Sequence, residues 1–142
     1  MIATVFGLTL EEAARLHGHK GPWLVIGYRA GMRAREILKP ETEHDLTCVA
    51  KVPKKVPYTC SVDGIQASAG CTLGKLTIGI TDSNSIEFEF THRASGKRVL
   101  LKLREDIPKL IESKYREGGL EAAAKCVEGM ELQELFEEAI TR

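Results

Sequence analysis

Neither sign of charge predominates in this chain: 20 lysines and arginines face 20 aspartates and glutamates, for a formal net charge of zero. Such a balance projects no long-range field toward nucleic acid or an anionic membrane, which argues against a general nucleic-acid binder and leaves only a local basic patch. Apolar runs of membrane-spanning length are missing as well. The opening residues, MIATVFGLTLEEAARL, carry no basic stretch and soon turn acidic, so they do not read as a signal peptide. The expected compartment is the cytoplasm, with the four cysteines reduced. No two cysteines stand in a C-x-x-C pair, which excludes a zinc ribbon or a thioredoxin-type motif within these residues. Internal repeats and low-complexity stretches are absent too. With 43% hydrophobic and 28% charged residues, the 142 residues are expected to form one domain, 1–142.

The pattern along the chain predicts α+β architecture. Thr9 and Glu12 form a capping box for a short helix through Leu16, ending near Gly18. Pro22 suits the first turn of a second helix running to Leu38. Along it Gly27, Ala30, Gly31 and Ala34 recur at three- and four-residue steps, a stripe that lets another backbone approach, within the chain or across a dimer. Arg33 and Arg35 lie off that stripe and are expected in solvent, with Arg29 nearer the histidine end. Leu46–Val52 is β-branched enough for a strand, with Cys48 packed in it. Thr59 or Ser61 should cap a helix through Ala69, which Gly70 ends. Strand signals follow at 76–80, 85–91 and 97–103, joined by turns at Asp82–Asn84 and Ala94–Gly96, and predict an antiparallel meander. His44 and His92 are expected at the surface. Helices are predicted over 105–115, 120–127 and 130–140, with Cys126 in their core face. The fold expected is thus an antiparallel meander sheet packed with N-terminal and C-terminal helices.

Two stretches carry chemistry. His17 and His19, one glycine apart, sit just before the breaker Gly21-Pro22; close imidazoles ligate metals when a thiolate or carboxylate joins them, and otherwise merely hydrogen-bond at a polar corner. Cys60 stands at a helix start, where unpaired amides and the macrodipole favour a thiolate. Zinc takes thiolate together with imidazole. Cys71 lies beyond the far end of the same helix, about 15 Å away at 1.5 Å per residue. Sharing one ion therefore requires the loop after Gly70 to double back or a second protomer to supply the other thiol; otherwise Cys60 alone is the ligand. Asp63, one turn on from Cys60, is a candidate to orient a histidine, to act as general base, or simply to offset the helix dipole. Gln66 shares its face. Lys75 is a candidate holder of an anionic substrate, although GCTLGK does not match the phosphate loop GxxxxGK[ST].

Together these residues resemble the FmdE family of formylmethanofuran dehydrogenase proteins. HGHKGPWLVIGYRAG is similar to the family signature HGHxCPGxxxGxRxG, and CSVDGIQASAGCTLGK to C-x-V-D-[AG]-I-Q-x-x-x-G-C-T-x-G-K, in the family's order. The resemblance implies a small α+β domain, often dimeric, with a metal site, usually zinc, formed from the two motifs. It carries ligand roles to His17, His19, Cys60 and Cys71, and surrounding polar roles to Asp63, Gln66 and Lys75. It also implies partnership with molybdenum or tungsten formylmethanofuran dehydrogenases, which start methane formation from carbon dioxide, although homologues occur in organisms that make no methane. Two departures stand out: Gly21 replaces the family's cysteine and Trp23 the glycine after the proline. The cysteine-rich ribbon of longer members has no counterpart in these residues.

Three functions follow as expectations. The first is a metal-binding accessory protein of a molybdenum or tungsten enzyme system. The second is a metal-dependent enzyme on a small anionic substrate, with Asp63 as base and Lys75 as anion holder. The third is a metal-free thiol module built on a low-pKa Cys60.

Overall fold

The computed structural model describes residues 6–142. Helices α1 (Leu10–His17) and α2 (Pro22–Leu38) lead into strand β1 (Leu46–Val52), helix α3 (Cys60–Ala69) and strands β2 (Ile78–Asp82), β3 (Glu87–His92) and β4 (Arg98–Leu103). Helix α4 (Ile107–Gly129), a single turn α5 (Leu132–Leu135) and strand β5 (Phe136–Thr141) follow. The architecture is α+β, as expected.

The sheet, however, is mixed rather than an antiparallel meander. Its order is β2-β1-β3-β4-β5, and β1 runs parallel to β2. Parallel neighbours need a crossover connection, and α3 is that crossover. β1 therefore lies between β2 and β3, pairing Cys48 with Phe90 and Ala50 with Phe88. Asp82–Asn84 is accordingly not a hairpin turn. The turn at 94–96 is one: His92 N–H donates to the Lys97 carbonyl and Gly96, at φ 77°, takes the left-handed position.

The predicted C-terminal helix is also corrected. Leu132, Leu135, Phe136 and Ile140 fit a helical stripe, yet only one turn forms before residues 136–141 extend along β4. Without β5 the outer edge of β4 would keep its amides and carbonyls unpaired, and that tertiary demand overrides the local period. Phe136 is buried edge-on against Phe88, centroids 6.5 Å apart. Arg33, expected in solvent, grips Glu138 on β5 through Nε and Nη2 at 2.7 and 3.0 Å. Arg35 likewise donates to the carbonyls of Phe6 and Ser68. Arg29 donates to the carbonyls of Val127, Glu128 and Met130 and closes the end of α4.

The helices cover one face of the sheet, where Phe88, Phe90, Val99 and Leu101 meet Ile26 and Ile65, all fully buried. Each such side chain contributes on the order of 1.5–3 kcal/mol. The small-residue stripe is an intrachain device. A Cβ at Gly27 would stand 1.8 Å from the Ser61 carbonyl oxygen, one at Gly64 2.2 Å from that of Leu24, and one at Gly31 2.0 Å from Ser68 Oγ. α2 and α3 thus cross with backbone against backbone. Gly27→Ala should destabilise the fold by about 3 kcal/mol or more, because backbone rather than a flexible side chain blocks the methyl. Urea unfolding of the variant beside Ala30→Gly, which removes a methyl from the same stripe without a clash, checks this; equal losses would refute the close-contact account.

Candidate metal centre

His17 and Cys60 reach one place because α1 ends where α3 begins. The capping box forms as expected, with Glu12 N–H donating to Thr9 Oγ1 and Thr9 N–H to Glu12 Oε1. Gly18, at φ 118°, ends α1 by the left-handed route and its amide closes on the Ala14 carbonyl. This turns the chain so that His17, on the last turn of α1, faces α3.

There a polar relay holds it. His17 Nδ1 lies 2.6 Å from Asp63 Oδ2. Gln66 Nε2 donates to the other oxygen of Asp63 at 3.2 Å, and the Leu73 amide donates to Gln66 Oε1 at 2.9 Å. With a carboxylate on Nδ1, that nitrogen carries the hydrogen and Nε2 presents its lone pair. Nε2 is buried and, among the described residues, has no hydrogen-bond partner. The His19 ring, on an exposed residue, stands 4.7 Å from that of His17, centroid to centroid.

His17, His19 and Cys60 line a single cavity of about 430 Å³. Its walls are Trp23 and Tyr58, packed edge-on with centroids 5.0 Å apart, together with Pro22, Ile111, Tyr115 and Leu120. Sequence reasoning missed the contribution of α4: no motif marks Ile111, Tyr115 or Leu120, and only tertiary packing brings them here. Gly119, at φ 77° and ψ −164°, breaks α4 and sets Leu120 at the cavity mouth. Lys20 braces the same loop, its Nζ 2.8 Å from Glu128 and 3.4 Å from Glu11.

Two of the residues singled out in the sequence stand apart. Cys71 is buried in the hydrophobic core, its Sγ donating to the Leu46 carbonyl at 3.4 Å, and burial pushes its thiol up to about 12. Lys75 donates to Thr72 Oγ1 at 2.9 Å and does not line the cavity. Asp63 is engaged with His17 and Gln66 rather than facing the cavity.

Cys60 departs from expectation in its electrostatics. Burial raises its thiol, and the Asp63 carboxylate raises it further. The helix start does not offset this because its amides are already used: those of Cys60, Ser61 and Val62 donate to the carbonyls of Pro57, Tyr58 and Thr59. Nor does a side-chain cap form, since Thr59 makes no capping bond and Ser61 Oγ turns back to the Tyr58 carbonyl.

The donors fit a borderline metal in kind, two imidazoles and a thiol, and the orphaned Nε2 with its carboxylate-bound Nδ1 is the arrangement of a metal-binding histidine. They do not yet converge: among the described residues no group of three His, Cys, Asp or Glu side chains closes on one point. His19, exposed on the loop between α1 and α2, is the donor with freedom to turn inward.

Comparison with protein families matches residues 16–142 to the family described as FmdE, of the molybdenum formylmethanofuran dehydrogenase operon. The chain belongs to this family. Among solved structures it is similar to a tungsten formylmethanofuran dehydrogenase FmdE-like protein from Syntrophus aciditrophicus, at 17% identity and a TM-score of 0.65, over 100% of this chain and 77% of that one. Identity this low speaks for the fold alone. No curated protein matches the chain. Within the FmdE family, the glycine at position 21 has a structural reading here. A Cβ there would sit 3.4 Å from His19 Nε2, whereas Gly21 leaves that space to the cavity.

Because the Cys60 thiol lies above the ordinary value, metal-free protein at pH 7 holds less thiolate there than a free cysteine does. Iodoacetamide should therefore alkylate Cys60 more slowly than free cysteine at pH 7, with the rate climbing at higher pH than it does for free cysteine. Mass spectrometry of timed digests gives the rate, and alkylation faster than free cysteine would overturn the assignment.

Proposed function

We propose that this FmdE family member is a metal-binding accessory protein of a molybdenum or tungsten formylmethanofuran dehydrogenase system, holding zinc through His17, His19 and Cys60. The observation that carries the reading is the buried, unpartnered Nε2 of His17, aimed by Asp63. An unpaired polar atom inside a protein costs free energy unless something meets it, and a metal does so while tolerating the apolar surroundings. Asp63 orients the ring and Gln66 steadies Asp63, so both are positioning residues. Bound zinc supplies Lewis acidity and deprotonates the thiol that burial otherwise keeps protonated. Cys71, held in the core, is the least suited of the candidate ligands in this chain. An enzymatic use of the same centre is favoured by one observation, the open cavity above the donors.

Elemental analysis by plasma mass spectrometry tests the reading. Near-stoichiometric zinc is expected in wild type and loss of it in His17→Ala and Cys60→Ser, with Cys71→Ser retaining the ion. Asp63→Asn should weaken zinc binding about 10- to 100-fold in a chelator competition without unfolding the protein. Gly21→Cys should tighten binding relative to wild type. Wild-type protein that refuses added zinc, or zinc retained in both His17→Ala and Cys60→Ser, would sink the assignment.

A further inference from the structure

We infer that the cavity over His17 and Cys60 receives an uncharged, ring-bearing organic molecule rather than a small anion. The inference rests on taking this cavity as the functional site, and not on metal occupancy.

Three observations carry it. First, the cavity, at about 430 Å³, holds a molecule of one to three rings, far more than a metal and its water need. Second, its walls are aromatic and aliphatic, and apolar side chains at its mouth remain in solvent: Tyr115 is 55% and Leu120 40% exposed. An apolar guest removes that surface from water together with its own, which is the driving force for entry. Third, charge at the site is balanced. Lys109 and Glu112 are the two fully charged residues that line it, three apart on α4 and both exposed at the rim. Lys75, the lysine that would have favoured an anion, bonds to Thr72 elsewhere. In the metal-free site a charged guest would lose its hydration against Trp23, Tyr58 and Ile111, and the Asp63 carboxylate behind His17 opposes an anion.

A matched pair of fluorescent probes isolates the charge. N-phenyl-1-naphthylamine has rings and one N–H and is neutral; 8-anilino-1-naphthalenesulfonate has the same skeleton with a sulfonate added. Titrations use the full chain, chelator-treated and zinc-supplemented, with zinc content read on the same samples. The neutral probe is expected to bind at least about tenfold more tightly than the sulfonate, and Tyr115→Ala and Leu120→Asn together to weaken it by about tenfold. Both substitutions lie at exposed positions, and thermal melts confirm that the variants are folded. Preference for the sulfonate in the chelator-treated protein overturns the inference, as does neutral-probe binding that ignores both substitutions, or zinc uptake without probe binding in either state. Probe binding with the expected preference in protein that takes no zinc upholds this inference while sinking the metal reading.

Discussion

The contact on which the structure depends is the crossing of α2 over α3 at Gly27 and Gly64. Neither position tolerates even a methyl group, so the two helices meet backbone to backbone. In close approach of this kind, dispersion contact along two rigid surfaces offsets the entropy cost of glycine in a helix. It also sets the site. α2 begins at the histidine loop and α3 begins at Cys60, so their separation determines how far the imidazoles stand from the thiol. His17, on the last turn of α1, meets Asp63 of α3 at 2.6 Å.

Around that contact the site combines two environments with opposite demands. The relay from the Leu73 amide through Gln66 and Asp63 to His17 is satisfied at every link except the last atom, Nε2. The cavity that His17 lines has apolar walls, with Trp23 and Tyr58 packed edge-on. A satisfied network rigidifies the groups within it, and the low dielectric beside it makes the remaining unpaired lone pair costly. The cost is met when something binds. The same environment explains Cys60: half-buried, next to the Asp63 carboxylate and deprived of free helix amides, it is a poor thiolate by itself. A cation beside it would reverse that balance.

Gly21 and Trp23, the two departures from the family signature, belong together in space. Gly21 removes the side chain that would face His19, and Trp23 lines the cavity with its indole. In this chain, the space beside His19 is joined to an apolar chamber. The exchange alters what the site can hold while leaving the helix start at Pro22 unchanged.

Much of this protein was determined by local sequence. The Thr9 capping box, Pro22 at the head of α2 and Gly70 at the end of α3 act through bonds and sterics within a few residues, and each formed where its motif stands, as did the strand 46–52. The paired motifs also placed His17, His19, Cys60 and Asp63 near one another in kind. Tertiary structure decided the rest. Residues 136–141 carry a helical spacing of apolar side chains, yet the open edge of β4 outweighs it, because a row of unpaired backbone groups costs more than one helix stripe returns. β2 pairs with β1 rather than β3 because α3 returns the chain across the sheet. Cys71 and Lys75 share a motif with Cys60 but lie on the core side and in a loop, since the helix between them carries the chain away from the cavity. The cavity itself, walled by α4 from the opposite end of the chain, exists only once the helices pack, because no short-range rule couples Tyr115 and Leu120 to a histidine so far before them in the chain.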